Sequence, residues 1–102
     1  MIIALVTLSN RDPEVHSIFN TLPYFQSIVG GYLEAVRLDG RTSLYCNEDA
    51  VRLKLPVNCA LADRVIRGNF FLVGYDGTGE ECSLTPEQVK TWSERILAGR
   101  AI

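Results

Sequence analysis

A chain of 102 residues with net charge −2 and no run of like charges lacks the basic footprint of a nucleic-acid binder, so nucleic acid is not an expected partner. Its 47% hydrophobic and 22% charged residues are a globular balance, which predicts one domain over residues 1–102 with a core of its own. No apolar run approaches the roughly 20 residues that cross a bilayer; three cysteines without a CxxC spacing and a single histidine predict a reducing, cytoplasmic setting with no metal and no cofactor.

Residues 2–8, IIALVTL, form a β-branched run suited to a strand buried on both faces. Ser9 to Pro13 carries turn chemistry. EVHSIF then alternates imperfectly, with Val15, Ser17 and Phe19 opposed to Glu14, His16 and Ile18, and is expected to be a short antiparallel partner with His16 on its surface. Residues 20–29 fit a short helix: Asn20 or Thr21 can cap it, Pro23 is tolerated in the first turn, and Leu22, Phe25, Ile28 and Val29 share a face. Gly30 falls where a left-handed C-terminal cap is wanted, and Gly31 lets the chain reverse into the next strand.

YLEAVRL over 32–38 reads as that strand, and Asp39-Gly40 as a two-residue hairpin signal leading to the partner TSLYC over 42–46. In AVRLKLP, Val51, Leu53 and Leu55 alternate with Arg52 and Lys54, which favours a further strand ended by Pro56. Residues 57–67 are expected to include an irregular turn. FFLVGY over 70–75 is a second buried strand, followed by the loop Asp76–Glu80. Thr85-Pro86-Glu87-Gln88 is a capping box with proline at the first helical position; it opens a helix over about 85–98 whose stripe is Val89, Trp92, Ile96 and Leu97, with Gly99 as its stop. The expected fold is α+β: a mainly antiparallel sheet of about five strands packed by the C-terminal helix and the short helix.

No stretch carries a specific catalytic signature. YDGTGE sits between a strand and a helix as a phosphate loop would, but no lysine and Ser/Thr follow its glycines, and Glu80-Glu81 would repel a phosphate. IVGGY lacks the GxGxxG order, so its glycines read as a joint between helix and strand. Asp76, Thr78 and Glu80 alternate as oxygen donors for calcium, but the acidic twelfth ligand is missing. His16 is not tied by spacing to Cys46, Cys59 or Cys82 as a base would be, and the cysteines read as small apolar fillers. Asn58 lies in an apolar neighbourhood, LPVNCAL, where its amide can staple an irregular loop to the backbone.

The ordered segments IVGGYLEAVRL, LYCNEDA, LPVNCAL, IRGNFFLVG and SLTPEQV resemble an uncharacterised family, domain of unknown function 3846, of bacteria, phages and plasmids. The resemblance covers about residues 20–90. It marks Gly30, Gly31, Tyr32, Glu34, Cys46, Asn47, Glu48, Leu55, Pro56, Asn58, Ala60, Gly68, Phe70 and Phe71. The chain departs from the pattern at Ala50-Val51, where a turn glycine is usual, at Cys59, where arginine is usual, and at Ala62-Asp63-Arg64, where an acidic insertion is shortened. The resemblance implies no activity; it implies an accessory or host-directed role in mobile-element biology.

The expected function is therefore a small non-enzymatic binding module acting on a host protein. The alternative is a protein that binds or sequesters a small nucleotide-like ligand, with Tyr32, Tyr45 and Tyr75 stacking a base and Arg37, Arg41 or Arg67 meeting phosphate. The candidate binding residues are Tyr32, Glu34, Arg37, Tyr45, Asn47, Asn58, Arg67 and Tyr75. A homodimer is open to the chain if LYC or AVRLKL lies at a sheet edge.

Overall fold

The computed structural model describes residues 1–100. Ile2–Thr7 (β1), Thr42–Asn47 (β4) and Phe70–Tyr75 (β7) carry no charged residue, and they become the middle of the sheet, where both faces are covered. The order is β2-β1-β7-β4-β3, with Glu14–Ile18 (β2) and Leu33–Arg37 (β3) at the two edges. Glu81–Cys82 (β8) pairs with β7 beyond the end of β1, completing six strands, all antiparallel. Among the described residues no helix is long and apolar enough to cross a membrane.

The sheet buries two cores. Leu22–Val29 (α1) covers one face, placing Phe25 and Val29 on Ala4, Val6, Ile18, Tyr45, Phe71 and Val73. Phe25, Tyr45 and Phe71 form an aromatic triangle with ring centroids 5.0–5.6 Å apart, within the range where such pairs attract beyond their buried area. Leu22 does not join this face; at the helix start it is 57% exposed. Pro86–Ala98 (α2) covers the other face, with Trp92 and Ile96 on Leu5, Leu44, Phe70 and Leu72. Its expected capping box is formed: Thr85 Oγ1 accepts from Gln88 N, and Gln88 Oε1 accepts from Thr85 N. Leu97, at the rim of the stripe, is exposed.

The glycine pair is a joint. Gly30 caps α1 at φ 77°, and the amides of Gly30 and Gly31 both donate back to Gln26 O. Gly31 is not needed for its own φ. A Cβ there would meet Asn47 Nδ2 at 2.9 Å, so the glycine makes room for a side chain of the neighbouring strand. Gly99 also serves close approach: a Cβ would fall 1.9 Å from Ala60 O, and the Gly99 carbonyl accepts from Ala60 N.

Three expectations for the segments fail. AVRLKLP is no strand but a run of turns, closed by Leu53 N to Asp49 O and Leu55 N to Ala50 O, with Lys54 at φ 55°. The Asn47 carboxamide starts it by accepting from Asp49 N at 2.8 Å, and no strand lies beside it to use the alternation. Residues 57–67 are a hairpin, Val57–Leu61 (β5) and Arg64–Arg67 (β6), whose one irregularity is a register shift between Val57 and Cys59, away from the turn on Ala62 and Asp63 at φ 51° and 61°. That is the left-handed pair a two-residue hairpin requires, built without glycine. The β3–β4 connection is instead wider than two residues: Leu38 N donates to Thr42 O, and Asp39 Oδ1 holds Arg41 N. LYC lies inside the sheet, so neither segment named for edge pairing is available to it.

Candidate functional site

Alternation along β3 and β4 sends the candidate residues to opposite faces of the sheet. Arg37, Tyr45 and Tyr75 lie on the α1 face. There each is held by partners within the fold. Tyr45 is 8% exposed, its ring stacks on Phe71, and its hydroxyl donates to Glu81 Oε1 at 2.6 Å. Burial, and then Glu81, push the Tyr45 phenol up to about 12. The Arg37 guanidinium covers the Tyr75 ring at 4.0 Å and donates to Ser43 Oγ at 2.5 Å, while Tyr75 donates to Asp39 O. A base arriving here would have to displace these partners. The adjoining cavity of ≈ 390 Å³ is lined by Tyr45, Phe25, Leu33, Glu80 and Glu81, and contains carboxylates but no cation.

The asparagines close one end of the sheet. Asn58 is buried; its Nδ2 donates to Thr7 O and Gly68 O, and its Oδ1 accepts from Arg100 Nη2 at 2.8 Å. Arg100 also reaches Leu8 O and Arg11 O, fastening the chain after α2 to the β1–β2 turn. Asn47 donates to Val29 O, and Asn69 Oδ1 accepts from Ser9 N. Every amide group at this end is thus engaged with backbone or Arg100, as the stapling reading of Asn58 expects.

Glu34 and Arg67 lie on the other side, with the β5–β6 hairpin. The hairpin packs over the β3–β4 end of the sheet, and a groove of ≈ 90 Å³ remains between them. Its lining includes Glu34, Cys46, Asn47, Glu48, Val51, Arg64, Val65 and Arg67. Arg64 Nη1 bonds Glu34 Oε2 at 3.1 Å across the groove, and Arg67 donates to Leu55 O. Cys46 faces the floor; burial first, and Glu34 second, push its thiol up to about 11, so it is protonated at neutral pH and a poor nucleophile. Val51 and Val65 are 78% and 58% exposed at the mouth. Tyr32, largely exposed, stands before β3, its carbonyl accepting from Glu48 N.

The remaining chemistry-bearing groups stay apart. The Asp76 carboxyl is lowered from its ordinary value by the Thr78 hydroxyl and by loop amides, its Oδ1 accepting from Thr78 and Glu80. Cys59 is raised by burial. Among the described residues no three His, Cys, Asp or Glu gather as metal ligands would. A larger cavity, ≈ 410 Å³, lies between the β3–β4 loop and the start of α2; it is lined by Arg41, one of the arginines considered for phosphate, but by none of the candidate tyrosines. Val51, Arg64 and Val65 were not among the sequence candidates: Val51 lies in the stretch read as a strand, and the hairpin that presents Val65 had no glycine to announce it.

No curated protein and no solved structure matches the chain. The family described as Domain of unknown function (DUF3846) matches residues 1–97, and the chain belongs to that family.

Proposed function

We propose that the protein is a small non-enzymatic binding module that engages a host protein, as an accessory factor of a mobile element would, through the groove between the β5–β6 hairpin and β3–β4. The observation that carries this reading is the pairing of two exposed valines, Val51 and Val65, at one mouth, inside a rim of Glu34, Glu48, Arg64 and Arg67. An apolar centre with a charged border is the anatomy of a protein interface. At ≈ 90 Å³ the groove is below the few hundred Å³ typical of a small-molecule pocket, whereas a partner's side chain can seat in it. The groups whose types could support chemistry are committed: Glu34 to Arg64, Asp76 to its own loop, Cys46 to its proton.

The test is affinity capture from host cells followed by mass spectrometry, with three baits. Wild type and Val15→Asp, on the far edge of the sheet, should retain the same partner, and Val65→Asp should lose it. Capture of nothing by the wild type, or equal capture by Val65→Asp, would contradict the proposal.

A further inference from the structure

The two edges of the sheet are guarded differently. On β2, Glu14 stands half-exposed beside the half-exposed His16, with only a 4.0 Å approach between them, and an edge charge like that of Glu14 discourages strand pairing. On β3 the two charges are drawn back over the sheet. Glu34 is tied to Arg64 at 3.1 Å on one face, and Arg37 to Ser43 and the Tyr75 ring on the other. Between them stands Ala35, small and exposed.

The backbone of this edge is open. Leu38 N bonds Thr42 O and Glu48 N bonds Tyr32 O, which brackets the β3–β4 ladder at even positions. In an antiparallel ladder the alternate residues turn their N–H and C=O outward, so Leu33, Ala35 and Arg37 present theirs to solvent. Unpaired groups of this kind are a template for another strand.

We propose that the outer edge of β3 pairs antiparallel with β3 of a second copy, about a two-fold axis through Ala35. Charge and strand length together select the register: an axis through Ala35, the middle residue of β3, pairs all five residues of the strand, whereas one through residue 36 sets Leu33 and Glu34 opposite residues beyond the partner's strand. Centred on Ala35, the pairing sets Leu33 opposite Arg37 and Glu34 opposite Val36, and no like charges face one another. Sliding the axis toward residue 34 opposes Glu34 to itself, and sliding it to residue 37 opposes Arg37 to itself; like charges directly opposite are destabilising. A two-fold pair also closes, whereas β3 on β2 of the next copy would propagate as a fibre. This inference is independent of the groove, which lies on the face of the sheet and not on its edge.

Sedimentation equilibrium of the purified chain tests it. Wild type should rise with concentration to twice its 11.3 kDa. Ala35→Lys, which sets two ammonium groups at the axis, should remain monomeric over the same range. Val15→Lys on β2 should dimerise as wild type does. Ala35→Cys supplies a second readout: opposed Cα atoms about 5.5 Å apart lie within disulfide range, so mild oxidation should link most of that variant into dimers and leave wild type unlinked. A wild type monomeric at every concentration, a dimer unaffected by Ala35→Lys or lost with Val15→Lys, or an Ala35→Cys variant that does not cross-link would each overturn it.

Discussion

The two faces of the sheet use similar residue types to opposite ends. On the α1 face Arg37, Tyr45 and Tyr75 are satisfied by Ser43, Glu81 and the Asp39 carbonyl, and the aromatic faces rest on Phe71 or lie under the guanidinium. On the hairpin face Glu34, Arg64 and Arg67 frame an opening that two exposed valines share. A tyrosine or arginine in a strand is thus no sign of a ligand until its partners are known. What separates the two faces is whether the polar groups are completed from within, and on the hairpin face the apolar surface is left for something else to cover.

The sharpest way to break that picture is to detach the hairpin. Gly99→Ala would force a Cβ to within 1.9 Å of the Ala60 carbonyl, and backbone cannot give way as a side-chain tip can. A loss of about 3 kcal/mol is expected, measured by urea denaturation, together with loss of the groove. Asn58→Ala comes next. It leaves Thr7 O and Gly68 O without their donor and removes the Arg100 acceptor, which should cost about 2 kcal/mol. If either variant matched wild type, the hairpin would not be held as described.

Tyr45→Phe sharpens the account of the closed face. Losing the hydrogen bond to Glu81 should cost about 1 kcal/mol at neutral pH. Its signature is the pH dependence. The unfolded phenol ionises near 10.0 and the folded one near about 12, so within that window the folded state holds the extra proton. Stability from this group is present below pH 10 and is lost as pH rises toward 12. The phenylalanine variant should show a shallower alkaline fall, with the part due to Cys46, between 9.0 and about 11, remaining. The smallest stability change belongs to Val65→Asp: an exposed strand residue should shift stability by no more than about 0.5 kcal/mol, so any loss of binding would be a loss of surface and not of fold.

Much of the fold was legible because local signals agreed with packing. The capping box at Thr85, the left-handed cap at Gly30, and the apolar runs of β1 and β7 each specify their element without distant help. Asn58 was readable as a staple because a carboxamide among apolar neighbours must find backbone partners. Two of the misreadings bear on the site, and each has its own cause. Alternation in 51–55 is a pattern on paper, but a strand needs a neighbour, and the carboxamide of Asn47 turns the chain before one can form. The Ala62-Asp63 turn adopts left-handed backbone without the glycine or asparagine that would signal it. Both segments line the groove together with β3 and β4, so these two misreadings fell where the site lies, and the candidates divided between a closed face, a stapled end and an open groove.

The most direct test of the central claim is the capture comparison at Val65. A host protein retained by wild type and by Val15→Asp, but not by a folded Val65→Asp, is the result the account predicts. The same protein retained equally by Val65→Asp, or none retained by wild type, would contradict it.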